Sequence, residues 1–203
     1  MADRTGGMRG GVFRSAVDNV NRLQPDIVLS VGDLVDGYTT DSTYLHEQWS
    51  EFNDIIQKLT LPFFYLPGNH DISNEWMRTE WERRFGRSYY YFVYKDVLFL
   101  MLNTEPDSRI DAAQINYFTR ILKKYHDVTD LLSCIVPHRH QKGGYDALEE
   151  VLAGRDYTVY SGHHHHYLKA ERHGRRHYVL GTTGGGSAGR AANDRERLIT
   201  SCG

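Results

Sequence analysis

The segment DIVLSVGDLVDG, residues 26–37, joins a short apolar run to a turn that contains two aspartates, Asp33 and Asp36. A short apolar run without polar alternation is typical of a buried strand in a parallel sheet. Glycine follows Val31, so both carboxylates lie just beyond the carboxyl end of that strand. In open α/β sheets, ligands bind in the crevice at this edge. The segment therefore predicts an α/β fold with a ligand site beside the two aspartates.

The same junction of an apolar strand and a polar loop recurs three more times, in LPFFYLPGNHD (61–71), LLSCIVPHRH (131–140) and DYTVYSGHHHH (156–166). One such loop could be an ordinary turn, but four at successive strand ends are hard to explain as turns. Because these ends meet at one edge of the sheet, we expect their side chains to converge. The candidates are Asp3, Asp33, Asp36, Asn69, His70, His138, His140 and His163–His166.

Helix-like and strand-like segments alternate over most of the chain. Helices are expected in residues 11–23, 43–59, 111–125 and 145–154. Two β-rich hairpins are expected to turn at Lys95-Asp96 and at Gly174. This order predicts an α/β fold whose central strands are covered on both faces. We expect one domain over residues 1–183 and a mobile, polar, Gly-rich tail over residues 184–203.

Charge and composition exclude several classes of protein. The chain has 203 residues with 24 Lys and Arg against 26 Asp and Glu, which gives no reason to expect a general nucleic-acid or membrane-surface binder. Its two cysteines cannot form a disulfide framework for a domain of this size. The sequence contains neither an apolar run long enough to span a bilayer nor a secretion signal at its start. We therefore expect a cytoplasmic protein.

The candidate residues fit a transition-metal site. A ligand set of carboxylate, amide oxygen and imidazole suits Mn, Fe, Zn or Ni, and it differs from the set of a thiolate structural site. Two such ions about 3.5–4 Å apart can activate water and hold phosphate oxygens, and a carboxylate between them is the natural bridge. In an extended segment, residues i and i+2 point the same way. His163 and His165 are therefore expected to reach the site, while His164 and His166 face elsewhere.

With these motifs in place, the sequence resembles the calcineurin-like metallophosphoesterase superfamily. GDLVDG, GNHD, VPHRH and SGHHHHY follow one another in that family's order, between Asp33 and His165. The resemblance implies the metallophosphoesterase fold, an α/β (α+β) arrangement of layered, β-sandwich-like mixed sheets flanked by helices. It also implies a phosphomonoesterase or phosphodiesterase that uses a dinuclear metal centre and metal-activated hydroxide on a small phosphate ester.

The resemblance implies a role for each matching residue. The implied metal ligands are Asp3, Asp33, Asn69, His138, His163 and His165. Asp33 would bridge the two metals, Asp3 and His165 would complete the first site, and the other three would complete the second. His70 would serve the leaving group, and the carboxylate of Asp36 would orient its imidazole.

The first motif departs from the family pattern, which is Asp-x-His, because this chain has Asp3-Arg4-Thr5. A hydroxyl is a poorer ligand than imidazole for a borderline cation, so we expect the first metal to bind more weakly than the second. Only two residues precede Asp3. We therefore expect the first strand of the fold to be missing and Asp3 to lie on a segment that frays.

Two alternatives to a phosphate-ester hydrolase stay open. A catalytically impaired metal-binding or scaffold domain of the same fold is favoured by Thr5 and the missing strand, and opposed by the intact His70 and Asp36. A hydrolase of nucleotides or nucleic acids would need a basic groove, which the balanced charge does not offer. Gly37 stands where the protein-phosphatase branch of the family has arginine, which argues against a protein substrate.

Overall fold

The computed structural model describes residues 1–105, 109–128, 130–135 and 144–187, and within these ranges the chain forms five helices and eight strands. The helices are α1 (Val12–Leu23), α2 (Ser42–Ile56), α3 (Glu75–Phe85), α4 (Ala112–Lys124) and α5 (Tyr145–Val151). The strands are β1 (Val28–Leu29), β2 (Phe63–Phe64), β3 (Tyr90–Tyr94), β4 (Val97–Leu102), β5 (Asp130–Ile135), β6 (Asp156–Ser161), β7 (Leu168–Arg172) and β8 (Arg175–Val179).

The strands form two sheets. Strands β1 and β2 pair in parallel as a small sheet. The other six form a mixed sheet in the order β3-β4-β5-β6-β8-β7, parallel in the middle and antiparallel at both edges. The two antiparallel edges are the predicted hairpins: β3 and β4 join at Lys95-Asp96, and β7 and β8 join at His173-Gly174.

The two sheets are layered between helices, as the sequence predicts. Helices α1, α2 and α3 pack together beside the small sheet around Trp49 and Phe52. Helices α4 and α5 cover one face of the large sheet, with Phe118 in their core. Between the sheets, the rings of Phe64 and Phe92 stack with centroids 3.9 Å apart. The result is the expected α/β sandwich of mixed sheets, and it brings the carboxyl ends of β1, β2 and β6 to one edge.

Residues 1–3 run parallel to β1 and are hydrogen-bonded on both sides. The Met1 amino group donates to the Leu29 carbonyl (2.6 Å) and the Asp3 amide to the Gly32 carbonyl (3.2 Å). On the other side, the Thr183 amide donates to the Ala2 carbonyl over 2.6 Å. The expectation of a frayed segment before Asp3 is therefore wrong, because residues 1–3 fill the place next to β1 themselves.

The four helices expected from the sequence are present, but α2 and α5 each end three residues early, at Ile56 and Val151, and α3 is an additional helix that the sequence did not predict. The expected helix at 111–125 is α4, and Asp111 caps it by accepting the Gln114 amide hydrogen over 2.8 Å. Helix α3 buries only Met77 and Trp81, and charged residues fill much of its remaining surface, so its apolar periodicity is weak. In the described part of the chain, no helix has the length and apolar character that a membrane crossing would require.

Candidate metal centre

Asp33 lies where the loops after β1 and β2 touch each other. Its side chain is buried, and its backbone has a left-handed φ of 57°. Gly32 and Gly68 meet backbone to backbone, because a Cβ on Gly32 would lie 2.6 Å from the Gly68 nitrogen. A Cβ on Gly68 would lie 2.2 Å from Asp33 Oδ1, so glycine is required beside this carboxylate. The same oxygen accepts the His70 amide hydrogen over 3.0 Å.

Asp71 ties the two loops together. One of its carboxylate oxygens accepts the amide hydrogens of Leu34 (2.8 Å) and Val35 (3.0 Å), and the other accepts that of Gly68 (2.8 Å). Burial and the nearby Asp33 raise the pKa of Asp71 to about 8, while the three donated hydrogen bonds act against that rise. The sequence places Asp71 in the GNHD motif but does not indicate this supporting role.

Asp3 and His165 approach Asp33 from the other side. One ligand atom each from Asp3, Asp33 and His165 all lie within 4.8 Å of one another. Burial, followed by the charge of Asp33, raises the pKa of Asp3 to about 8. Asp3 Oδ1 accepts the His163 amide hydrogen over 2.6 Å, whereas buried Oδ2 has no hydrogen-bond partner among the residues described. Two buried carboxylates with an unpartnered oxygen are the chemistry that a cation would stabilise.

The orientation of His165 is fixed by a segment that the sequence analysis assigned to the tail. His165 Nδ1 lies 2.6 Å from the Gly186 carbonyl oxygen, so Nδ1–H donates to it and Nε2 is left to accept. The Gly185 amide in turn donates to the Asp3 carbonyl over 2.9 Å. Residues 184–186 thus pack against the site, and a tail starting at 184 begins too early. Residues 188–203 lie outside the described residues.

A second pair of ligand candidates lies on the Asn69 side of Asp33. His163 Nδ1 is 2.7 Å from Asn69 Oδ1. Asn69 stands between Gly68 and His70, both of which approach the Asp33 carboxylate. The His163 amide also donates to Asp3 Oδ1, so this pair connects the Asn69 loop with the buried carboxylates. His138, predicted to join the pair, and His140 lie outside the described residues.

The four consecutive histidines do not form the extended segment that the sequence predicts. His163 and His165 have left-handed φ values of 69° and 55°, so the run is a series of bends. His163 contacts Asn69 and His165 lies near Asp3, whereas the ring of His164 lies against those of His163 and His166, with centroids 5.5 and 5.7 Å away. Positive φ at every second residue produces this arrangement, which the sequence does not indicate.

His70 is oriented by a main-chain group. Its Nδ1 lies 2.7 Å from the carbonyl oxygen of Asp36. The Asp36 carboxylate was expected in this place, and the structure has the main-chain carbonyl of the same residue there instead. A carbonyl oxygen can only accept, so Nδ1 carries the proton and Nε2 has the lone pair when the ring is neutral.

Thr5, which stands where the family has a ligand histidine, is buried and hydrogen-bonded to the backbone. Its hydroxyl lies 3.0 Å from the Val35 carbonyl and 3.2 Å from the Asp33 carbonyl, so it donates to the loop that carries Asp33. Next to it, a Cβ on Gly6 would lie 2.5 Å from His165 Cε1. The first motif thus supports the Asp33 loop through Thr5 and leaves room for the His165 ring at Gly6.

Comparisons with known proteins agree with this geometry. The family model for calcineurin-like phosphoesterases matches residues 10–167. A search of curated proteins found no match.

Solved structures with this fold include phosphatases. A dimetal phosphatase from Danio rerio is similar with a TM-score of 0.70 and 14% identity, over 90% of this chain and 86% of that one. A purple acid phosphatase from yellow lupin (Lupinus luteus) seeds is similar with a TM-score of 0.72 and 15% identity, over 92% of this chain and 44% of that one. The chain thus spans less than half of the lupin enzyme, and at these identities the likeness shows the fold.

Proposed function

We propose, on the premise that this chain belongs to the calcineurin-like phosphoesterase family, that it hydrolyses small phosphate esters at a centre of two metal ions. The observation that carries the proposal is the position of Asp33. It lies within 4.8 Å of ligand atoms of Asp3 and His165, while its Oδ1 accepts the amide hydrogen of His70, next to Asn69. A buried carboxylate within reach of further carboxylate and imidazole groups, beside the loop that carries an amide ligand candidate, fits a two-metal site.

The chain's own residues fit two metals. Asp3, Asp33 and His165 would hold the first ion, which would also satisfy the unpartnered Oδ2 of Asp3. Asp33, Asn69 and His163 would hold the second, together with His138, which the family resemblance supplies. The mixture of carboxylate, amide and imidazole suits Mn, Fe, Zn or Ni, and Mn²⁺ is the ion with which we propose to test the site.

The chemistry expected of the bound ions is to activate a water molecule and to offset the charge on the phosphoryl oxygens. His70 then donates a proton to the leaving group. With Nδ1–H donated to the Asp36 carbonyl, a protonated ring presents Nε2–H to the ester oxygen that departs. The oxygen of the water molecule bonds to phosphorus and gives up its proton to solvent as the bond from phosphorus to the ester oxygen breaks. The proton on Nε2 passes to that ester oxygen, so that a neutral alcohol leaves. Asp71 holds the two loops in register during this step.

A second candidate is a metal-binding or scaffold domain without turnover. Thr5 favours it, because its hydroxyl is hydrogen-bonded to the backbone and the first ion would have three ligands among the described side chains. Under this alternative the second ion binds and no ester is hydrolysed.

The test combines metal analysis with turnover. Protein purified without added ions is stripped with chelator, reloaded with Mn²⁺, and assayed with p-nitrophenyl phosphate and bis-p-nitrophenyl phosphate. We expect chelation to abolish hydrolysis and Mn²⁺ to restore it. His163→Ala should lose metal, whereas His164→Ala, the matched control from the same run, should keep it.

Three results would count against the proposal or its ligand assignment. Hydrolysis that continues at the same rate in excess chelator would exclude a metal-dependent reaction. Stoichiometric Mn²⁺ binding without hydrolysis of either ester would instead support the scaffold alternative. Loss of metal in His164→Ala as complete as in His163→Ala would show that the ligands are assigned wrongly.

A further inference from the structure

Tyr38 is an exposed aromatic residue that contacts two of the candidate site residues. Its phenol oxygen accepts a hydrogen bond from Asn69 Nδ2 over 2.8 Å. Its ring meets the His70 imidazole edge to face, with centroids 4.9 Å apart and planes at 88°. The residue is nevertheless 63% exposed, so burial of apolar surface does not explain why the ring stays at this place.

The backbone at Tyr38 is held in a costly conformation. Its φ is 48°, a left-handed value that costs a non-glycine residue about 1–2 kcal/mol. Two side chains hold the turn: Gln48 Oε1 accepts the Gly37 amide hydrogen over 2.9 Å, and Ser73 Oγ accepts that of Tyr38 over 3.1 Å. Backbone strain that neighbouring groups maintain in this way concentrates at functional sites.

The hydroxyl decides which end of the Asn69 amide faces the candidate metal site. An amide has an oxygen that can bind a cation and an NH2 group that cannot. Because Nδ2 is directed to Tyr38, Oδ1 is directed to His163, 2.7 Å from its Nδ1. Without the phenol oxygen, the NH2 group would lose this acceptor and the amide could turn over.

The ring limits the movement of His70. The Asp36 carbonyl holds Nδ1 of the imidazole, and the Tyr38 ring lies against the same imidazole. An edge-to-face aromatic contact contributes about 0.5–1.5 kcal/mol, enough to favour one ring position. Without the Tyr38 ring, the hydrogen bond to the Asp36 carbonyl would be the remaining described contact that holds the His70 imidazole. The imidazole would then have space to swing away from the leaving group.

We propose that Tyr38 is a positioning residue: its hydroxyl turns the amide oxygen of Asn69 toward the second metal, and its ring keeps His70 at the leaving group. This inference rests on the proposed function. It also predicts that experiments can separate the effect of the hydroxyl from that of the ring, because the hydroxyl acts on metal affinity and the ring acts on catalysis.

The first experiment measures metal affinity and requires no turnover. Mn²⁺ is titrated into stripped protein in competition with a fluorescent chelator. Tyr38→Phe, which removes only the hydroxyl, should weaken one of the two sites by roughly 10–100-fold, the usual effect of losing a group that orients a ligand. The matched control is Tyr44→Phe on the first turn of α2, 47% exposed, which should bind Mn²⁺ like the wild type. Wild-type affinity in Tyr38→Phe would overturn the role of the hydroxyl.

The second experiment compares two esters at saturating Mn²⁺. Tyr38→Leu, which removes the ring, should lower kcat by about 10-fold or more for an alkyl phosphate, whose alcohol needs a proton to leave. It should change kcat little for p-nitrophenyl phosphate, whose phenolate leaves unaided. Tyr38→Phe restores the ring and should restore kcat for the alkyl ester. Equal losses on both esters, or no loss on either, would overturn the role of the ring. A wild-type protein that cleaves neither ester contradicts the proposed function instead, and the chelator competition still decides the role of the hydroxyl.

Discussion

Ending the chain after Thr183 should weaken the site, whereas ending it after Ser187 should leave it intact. The shorter protein loses residues 184–186, which make six hydrogen bonds to the rest of the described chain. These are Arg9 amide to Gly184 carbonyl (2.8 Å), Gly185 amide to Asp3 carbonyl (2.9 Å), Gly186 amide to Gly6 carbonyl (3.0 Å), Arg9 Nε to Gly185 carbonyl (2.9 Å), Thr182 hydroxyl to Gly185 carbonyl (2.9 Å) and His165 Nδ1 to Gly186 carbonyl (2.6 Å). The longer protein keeps all six, so the pair differs by four residues at one place.

The expected magnitudes follow from these contacts. A hydrogen bond contributes about 0.5–1.5 kcal/mol net, so the loss of six should lower the free energy of unfolding by about 3–9 kcal/mol. One of the six orients His165, a candidate ligand, and losing such a partner weakens metal binding by roughly 10–100-fold. Both effects should be absent from the protein that ends at Ser187.

Two measurements test this prediction. Urea unfolding in the presence of chelator gives the stability of each truncated protein without metal. Titration of Mn²⁺ against a competing chelator gives the affinity. Equal stabilities and equal affinities in the two truncated proteins would refute the reasoning, because the Gly186 carbonyl would then have no influence on His165.

Two further predictions concern stability, and both are read from chemical unfolding. Thr5→Val should lower the free energy of unfolding by about 1–3 kcal/mol, because the Val35 carbonyl loses its donor. Thr5→Ser keeps the donor and should lose less stability. Equal losses in the two variants would contradict this role of the hydroxyl. Glu80, hydrogen-bonded to Arg83 and Arg84, has a pKa lowered to about 2 from 4.5, so its stabilisation is complete above pH 4.5 and is lost as the pH falls toward 2. Glu80→Gln should therefore cost about 1 kcal/mol at pH 7 and less at pH 3, since Arg83 is largely exposed; a loss independent of pH would contradict the ion pair.

The parts of the site that sequence reasoning found are those set by position along a strand. The motifs after β1, β2 and β6 carry polar residues at the carboxyl ends of apolar strands, and such ends meet at one edge in any fold of this class. That rule accounts for Asp33 and Asn69, whose strands pair in the small sheet. His163 follows a strand of the large sheet, and the layering of the two sheets brings it to Asn69. The hairpins and α4 were also predictable, since their turns and caps are local signals.

The parts that sequence reasoning missed depend on the main chain and on contacts between distant segments. The group that orients His70 is the carbonyl of Asp36, and the group that orients His165 is the carbonyl of Gly186. Every residue has a carbonyl, so no residue type indicates which one will serve. Likewise, the left-handed φ values that separate His163 from His164 belong to residues for which such values are uncommon.

The contact between Asp3 and Gly185 also determines when the site can form. During synthesis, Asp3 leaves the ribosome before all thirteen described helices and strands, and Gly185 and Gly186 follow after the last of them. A growing chain can pair β1 with β2 and pack α1 against α2 long before that, but it cannot complete the surroundings of His165. If the proposed metal centre forms, its full affinity therefore requires synthesis to pass Gly186, so metal affinity would distinguish such a chain from an interrupted one that already contains these helices and strands.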